Sequence, residues 1–356
     1  MEKTGRDRFD WIASAARNAR NLGAIAILPD YFVDRFLKIP SFEKLVTAIR
    51  QKGIEGGGGS IRAGIRQQEA KGGNAVNLGY ALGALGARVD LIAIANSLHA
   101  SVLKSIFAKL ESVNLSLVDG DPGFTIAFEY LHRGRRVNVM VSDIGALGSF
   151  QSKDLSEEQW NSIGNSKIVG IVNWGSLGYG NELSEDVFSL ARKKGAKTFF
   201  DSADVAEKSA KLPRLKKSVF DKALVDYISM NDNEARIMAR VFEHHRLPAS
   251  YSDQELKKTV RVLSDSLGSR VDLHSRKLSL SCDREDLAFS PCHKVDQKIV
   301  TGAGDVWDSA DLVGYLTGME PEDRLYFANT AAGLYVSRET PEPPTLAEIL
   351  SFMQKQ

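Results

Sequence analysis

Cysteine is scarce: the 356 residues include only Cys282 and Cys292. Two thiols build neither a disulfide framework nor, on their own, a four-ligand zinc site. An excess of either charge is also missing. The 46 Lys and Arg residues against 45 Asp and Glu leave a net charge of +1, so nothing in the overall charge argues for a nucleic-acid or acidic-membrane partner. The basic run Lys208, Lys211, Arg214, Lys216 and Lys217 has no interleaved aromatics and reads as a solvated face. No apolar stretch approaches the ~20 residues that cross a bilayer, and the opening MEKTGRDRFDWIASAARNAR has no apolar leader core. Repeats, low-complexity tails and proline-rich linkers are absent as well. With 43% hydrophobic residues, the chain is expected to be a cytoplasmic protein with a large buried core, in a single domain over 1–356.

Apolar runs of strand length alternate with amphipathic stretches. Strands are predicted at 24–28, 89–95, 168–173, 198–201 and 227–230, with helices over 100–111, 183–194, 232–245 and 253–265. That alternation predicts an α/β fold with a mainly parallel sheet covered by helices on both faces, and ligands at the carboxyl ends of the strands. Two segments break the rhythm, at about 36–70 and 123–141. The second holds two β-like runs around His132-Arg133-Gly134 and resembles a hairpin. Both are expected to form a small antiparallel lid. Gly56 to Gly59 in the first segment reads as a loop, because no Gly-Lys-Ser/Thr follows. Near the start, Trp11, Ile12, Ala15, Ala16 and Ala19 share one face of an extra helix.

The chemistry concentrates in Thr301-Gly302-Ala303-Gly304-Asp305, which follows the β-branched run Ile299-Val300 and opens a helical pattern. Small residues at a helix start let backbone N–H groups face a phosphoryl group, and the positive end of the dipole keeps an Asp there ionised. Such a carboxylate can take the proton from an attacking hydroxyl. Alone, the stretch reads equally well as a helix cap. Two further turns accompany it. Gly72-Gly73-Asn74-Ala75-Val76-Asn77 pairs a glycine turn with amides suited to vicinal hydroxyls, and Asn231-Asp232-Asn233-Glu234 follows an apolar run and opens a helix. Asn231 there is either an N-cap or a phosphate-side residue. Glu234 is either a capping acid or a carboxylate near a magnesium–phosphate pair, acting through water.

With these three motifs in this order, the chain resembles the ribokinase-like (PfkB) carbohydrate kinase family over about 22–350. Phe199-Phe200-Asp201 and the late FANTAAGLYVSRE at 327–339 add to the likeness. The resemblance implies a Rossmann-like three-layer αβα domain with a β-sheet lid. It also implies transfer of the terminal phosphoryl group of ATP (or ADP), with Mg2+, to a hydroxyl of a sugar, nucleoside or sugar phosphate. By motif position, Asp305 matches the base and Gly302, Ala303 and Gly304 the anion hole. Asp34, Gly72, Gly73 and Asn77 match the acceptor side, and Asn231, Glu234, Gly268 and Asn329 the nucleotide side. Lid sheets that pair between subunits imply a homodimer.

Several positions depart from the pattern. Ile299 and Val300 stand where the family usually has Asp and Thr, which puts a monovalent-cation requirement in question. Val271 replaces the second glycine after Gly268, Trp307 replaces a Phe, and Asn96 a Gly. Asp311 falls at an apolar position, where it either pairs with an interior base or faces solvent. Arg133, Arg135 and Arg136 in the lid hairpin read either as a solvated tip or as a grip on an acceptor phosphate. The altered flank leaves an alternative, a catalytically reduced sensor or scaffold that binds a sugar or nucleotide. No Gly-x-Gly-x-x-Gly follows the first strand, which disfavours a dehydrogenase.

Overall fold

The computed structural model describes residues 5–62, 64–133, 135–284 and 286–355. Thirteen strands occur among them: β1 Ala24–Leu28, β2 Phe32–Ile39, β3 Arg66–Gly72, β4 Arg88–Ile94, β5 Val113–Val118, β6 Gly123–His132, β7 Arg135–Asp143, β8 Ile168–Ile171, β9 Lys197–Asp201, β10 Tyr227–Asn231, β11 Arg270–His274, β12 Leu278–Asp283 and β13 Asp286–Pro291. The main sheet runs β13-β12-β11-β10-β9-β8-β1-β4-β5, parallel from β11 to β5, with an antiparallel hairpin at one edge.

Along β1, Ile25 and Ile27 enter one apolar cluster while Ala26 and Leu28 enter another on the opposite face. Burial on both faces is why the parallel strands read as unbroken apolar runs. The helices Asn74–Ala84, Ala303–Leu316 and Pro321–Val336 cover one face. Gly180–Lys193, Asp232–Glu243 and Asp253–Leu267 cover the other. The helix predicted over 100–111 starts earlier, at Ser97, because the Asn96 side chain accepts the His99 N–H and caps it. The chain's first helix, Gly5–Asn18, buries Ile12, Ala13, Ala15 and Ala16 against the Pro321–Val336 side of the molecule, where Arg8 pairs with Asp323 at 2.5 Å. Trp11, expected on the same face, stays at its exposed edge. Among the described residues no helix is long and apolar enough to cross a membrane.

The second sheet, β3-β2-β6-β7, is the lid. It starts earlier than 36, because β1 passes through Pro29, Asp30 and Tyr31 straight into β2, and β2 pairs in parallel with β6 from Phe32↔Gly123 to Ile39↔Tyr130. The hairpin between β6 and β7 forms around His132 and Arg133 as expected. Gly134 and the side chains of Arg135 and Arg136 lie outside the described residues. Gly56 to Gly59 form an exposed loop.

Asp311 has an interior partner. Arg324, 1% exposed, bonds to Asp311 and, at 3.1 Å, to Asp272, so the helices Ala303–Leu316 and Pro321–Val336 are tied to β11 by buried charge. A fully buried guanidinium needs such partners.

Candidate active site

The carboxyl ends of β1, β8, β9 and β10 converge with the starts of the helices Asn74–Ala84 and Ala303–Leu316. Asp30, just past β1, is fully buried and accepts three hydrogen bonds: from the Asn74 N–H at 2.8 Å, the Ala75 N–H at 2.7 Å and Asn173 Nδ2 at 2.7 Å. These satisfy the first free amides of a helix. Gly73 supplies the sharp entry with φ +90°, and a Cβ there would come within 3.0 Å of Asp30 and of the Phe32 N–H.

From this turn two amides reach across the cleft. Asn74 Nδ2 donates to Asp201 Oδ2 at 3.3 Å and Asn77 Nδ2 to Asp305 Oδ2 at 3.1 Å. On the far side of Asn77, Lys71 Nζ approaches its Oδ1 at 3.5 Å and lies 4.6 Å from the Tyr80 ring.

Asp305 sits in the first turn of its helix, which Gly302 enters at φ +82°. Its carboxyl group is held well above the usual range, first by burial and then by the charge of Asp201, while the Asn77 bond and Lys71 oppose the rise. The preceding turn is pinned by Tyr335, whose hydroxyl donates to the Thr301 carbonyl at 2.8 Å. Of the three amides expected to face phosphoryl oxygens, the Ala303 N–H is spent inside the turn, donating to Val300 O at 3.2 Å. Gly304 belongs to the helix's first turn, and His274 Cε1 lies 3.2 Å from where a Cβ on it would stand. The His274 ring also packs on Trp307, and burial lowers its pKa to about 4, so it is neutral at ordinary pH.

Asp34 lies in β2, four residues beyond Asp30, and faces the same region. A Cβ on Gly72 would overlap its carboxylate. Burial raises its pKa to about 6, with a push from Asp30; a bond from Thr125 and the charge of Lys71 oppose this. Sequence reasoning passed over Asp30, the acid at the strand end itself. The signal was there: β1 stops at Leu28, so Asp30 lies at its carboxyl end, whereas Asp34 is already inside the next strand.

Asn231 and Glu234 form a capping box. The Asn231 side chain accepts the Asn233 and Glu234 N–H groups at 2.8 and 3.0 Å, while Glu234 accepts the Asn231 N–H at 2.8 Å and its Nδ2 at 2.6 Å. Both oxygens of Glu234 thus face Asn231. Burial and the charge of Asp201 raise its pKa well above the usual range. No three acidic, His or Cys side chains among the described residues converge as metal ligands.

Two nucleotide-side expectations do not fit the geometry. Gly268 ends the helix Asp253–Leu267 and precedes Arg270, which pairs with Tyr227 at the start of β10, whereas Asn231 pairs with His274 at its end. Gly268 therefore lies at the opposite end of the sheet from Asp305, beside Arg192, Asp226 and Arg270 along a cavity of about 650 Å³. Asn329 is 3% exposed and its amide is committed: Oδ1 accepts from Trp307 Nε1 at 2.9 Å, and Nδ2 donates to the carbonyls of Ser290 and Pro291, both at 3.1 Å. It braces Trp307 against the β13 edge and offers nothing to a ligand.

An αβα sandwich with a four-stranded lid over the strand ends is the ribokinase-like fold, and solved structures bear this out. Ribokinase from Thermotoga maritima superposes with a TM-score of 0.71 at 19% identity, covering 94% of this chain and 100% of that one. Ribokinase from Arabidopsis thaliana, solved with ribose and ATP, gives 0.70 at 17% identity over 93% and 99%. A nucleoside kinase from Burkholderia thailandensis, solved with inosine, gives 0.62 at 16% over 93% and 98%. No curated protein matches by sequence. The chain belongs to the pfkB family of carbohydrate kinases, whose pattern it matches over residues 44–347.

Proposed function

We propose that the chain is a nucleotide-dependent kinase that phosphorylates a hydroxyl of a sugar, a nucleoside or a sugar phosphate. The observation that carries this reading is the Asn77–Asp305 bond, which joins a hydroxyl-binding glycine turn to a buried acid at a helix N-terminus. Relatives of the same fold solved with ribose and ATP and with inosine support it.

In this mechanism Asp34, Gly72, Gly73 and Asn77 form the acceptor seat, on a turn that the buried Asp30 holds in place. Asp305 takes the proton of the attacking hydroxyl as its oxygen bonds to the terminal phosphorus and the bond to the leaving nucleotide oxygen breaks. The Gly302 and Gly304 amides and the helix dipole face the phosphoryl oxygens. ATP or ADP would approach from the end of β11, where Ser275, Arg276 and Lys277 turn back towards β12. The oxygen-only donor set of Asp201 and Glu234, buried and mutually repelling, suits a hydrated Mg2+ held mainly by the nucleotide. Bound there, magnesium would neutralise charge on the phosphates. Closure of the lid would exclude water from the transfer. On the lid's outward face Phe124, Ile126, Val139 and Val141 stand exposed together, which supports a homodimer built through that sheet.

The test is phosphoryl transfer from ATP and from ADP, with Mg2+, to a panel of sugars, nucleosides and sugar phosphates, with Asp305→Asn beside the wild type. Turnover on one acceptor class, lost in the variant while nucleotide binding persists, is the expected result. Near-wild-type turnover in Asp305→Asn would remove it as the base. A second reading, a catalytically reduced sensor that binds a sugar or nucleotide, draws on the altered flank Ile299-Val300 before the glycine turn. It predicts ligand binding without turnover on any acceptor.

A further inference from the structure

Lys71 is the penultimate residue of β3, and its side chain lies back along the helix Asn74–Ala84. It is surrounded by acid: Glu342 from the loop after the helix Pro321–Val336, Asp305 from the helix Ala303–Leu316, and Asp34 from β2. Tyr80 lies beneath it and is itself close to Glu342. Around Asp305 stand Asp201 at the end of β9, Asp30 after β1, Asp308 one turn along the same helix and Tyr335 opposite. Within that group Lys71 is the cation that acts on Asp305.

The geometry of Asn77 turns this proximity into a device. An ammonium group has donors only, so it must meet the carbonyl oxygen of an amide. With Oδ1 held by Lys71 at 3.5 Å, Nδ2 is the atom left to face Asp305, at 3.1 Å. A donor in that place favours a charged carboxylate. With the amide turned round, Oδ1 would face Asp305, which a carboxylate repels and only a protonated acid can satisfy.

We propose that Lys71 is a positioning residue for Asp305: its ammonium fixes the orientation of the Asn77 amide and favours the charged, proton-accepting form of the Asp305 carboxylate before an acceptor arrives. The role rests on the kinase reading above, but the state of Asp305 can be measured without any substrate. Burial pulls the Lys71 pKa below its ordinary value, and the charges of Glu342, Asp305 and Asp34 oppose that fall.

The experiment is a carbon-13 NMR titration of the full chain labelled at the Asp side-chain carboxyl carbons, with the Asp305 signal assigned by its absence in Asp305→Asn. Lys71→Met is expected to raise the Asp305 midpoint by about one pH unit or more, the size of effect an adjacent charge exerts, and Lys71→Arg to restore most of it. An unchanged midpoint in Lys71→Met would overturn the proposal. Lys71→Gln carries the same comparison if methionine disturbs the strand end. Once an acceptor is known, the acidic limb of the kcat profile should move up with the same midpoint. A Lys71→Met enzyme with altered KM but an unmoved limb would make Lys71 an acceptor contact instead. Turnover that survives Asp305→Asn would remove Asp305 as the base, and no turnover on any acceptor would sink the kinase reading itself; either leaves the titration result standing.

Discussion

Tyr335 donates its hydroxyl to the carbonyl of Thr301 across 2.8 Å, so a residue near the end of one long helix sets the entry to another. Gly302 follows in the left-handed region at φ +82°, and a Cβ on it would stand 2.8 Å from the Tyr335 oxygen. The bond therefore fixes both the direction of the turn and how closely the tyrosine covers it.

Tyr335→Phe keeps the ring and removes this one donor. The expected stability loss is about 1 kcal/mol, the usual net value of such a bond, visible as a small drop in Tm. Turnover should fall more than acceptor KM rises, because in the proposed mechanism the turn faces the transferring group and not the acceptor. An equal loss in both would show that the tyrosine supports the whole cleft.

Asp30 is expected to matter first for stability. Asp30→Ala leaves two backbone N–H groups and the Asn173 amide without their acceptor in a buried site, a loss of roughly 2–4 kcal/mol on the scale of orphaned buried donors. Denaturant unfolding should show a lower midpoint with an unchanged slope. If the variant is as stable as the wild type, the three bonds do not hold the turn.

Asp34 gives a pH test with a definite sign. Its folded pKa is raised to about 6, above the ordinary carboxylate range, so protonation favours the folded state. Its contribution is complete at low pH and is lost as pH rises through 6. Asp34→Asn keeps an oxygen to accept from Thr125 and cannot ionise. Its Tm relative to wild type should climb between pH 4 and pH 6 and level off above. Acceptor binding should move the other way, weakened at neutral pH by loss of the charge, a trade of activity for stability. Parallel melting curves of the two proteins across that range would refute the assignment of a raised pKa.

The fold was largely legible because parallel strands buried on both faces must be apolar throughout, and Ala24–Leu28 or Tyr227–Met230 can be little else. The site was legible only where its residues are consecutive, as in Gly302 to Asp305. Asp30, Asn173 and Asp201 meet across separate strands, and no spacing along the chain announces that. Asp30 went unread because the end of β1 and the start of the lid are separated by only three residues. Gly268 failed for a related reason: a glycine that ends a helix before a strand and one that approaches a phosphate after a strand share the same short pattern but sit at opposite ends of the sheet. The polar run around Ser279 to Ser281 hid the antiparallel edge, since those hydroxyls face buried partners, such as Arg324 at 2.7 Å from Ser281, and not solvent.

The lid's central pair, β2 with β6, joins segments some ninety residues apart and runs in parallel, with β4 and β5 of the main sheet threaded between them in the chain. Closing so long a loop costs entropy that local turns cannot repay. The lid is therefore expected to be assembled late, on a main sheet already in place, and to open first when the protein is stressed. Amide hydrogens of Phe32–Ile39 and Gly123–His132 should exchange well ahead of those in β1 and β8. The element that would shield the reaction from water would then also be the part of the molecule held least tightly by its own history of folding.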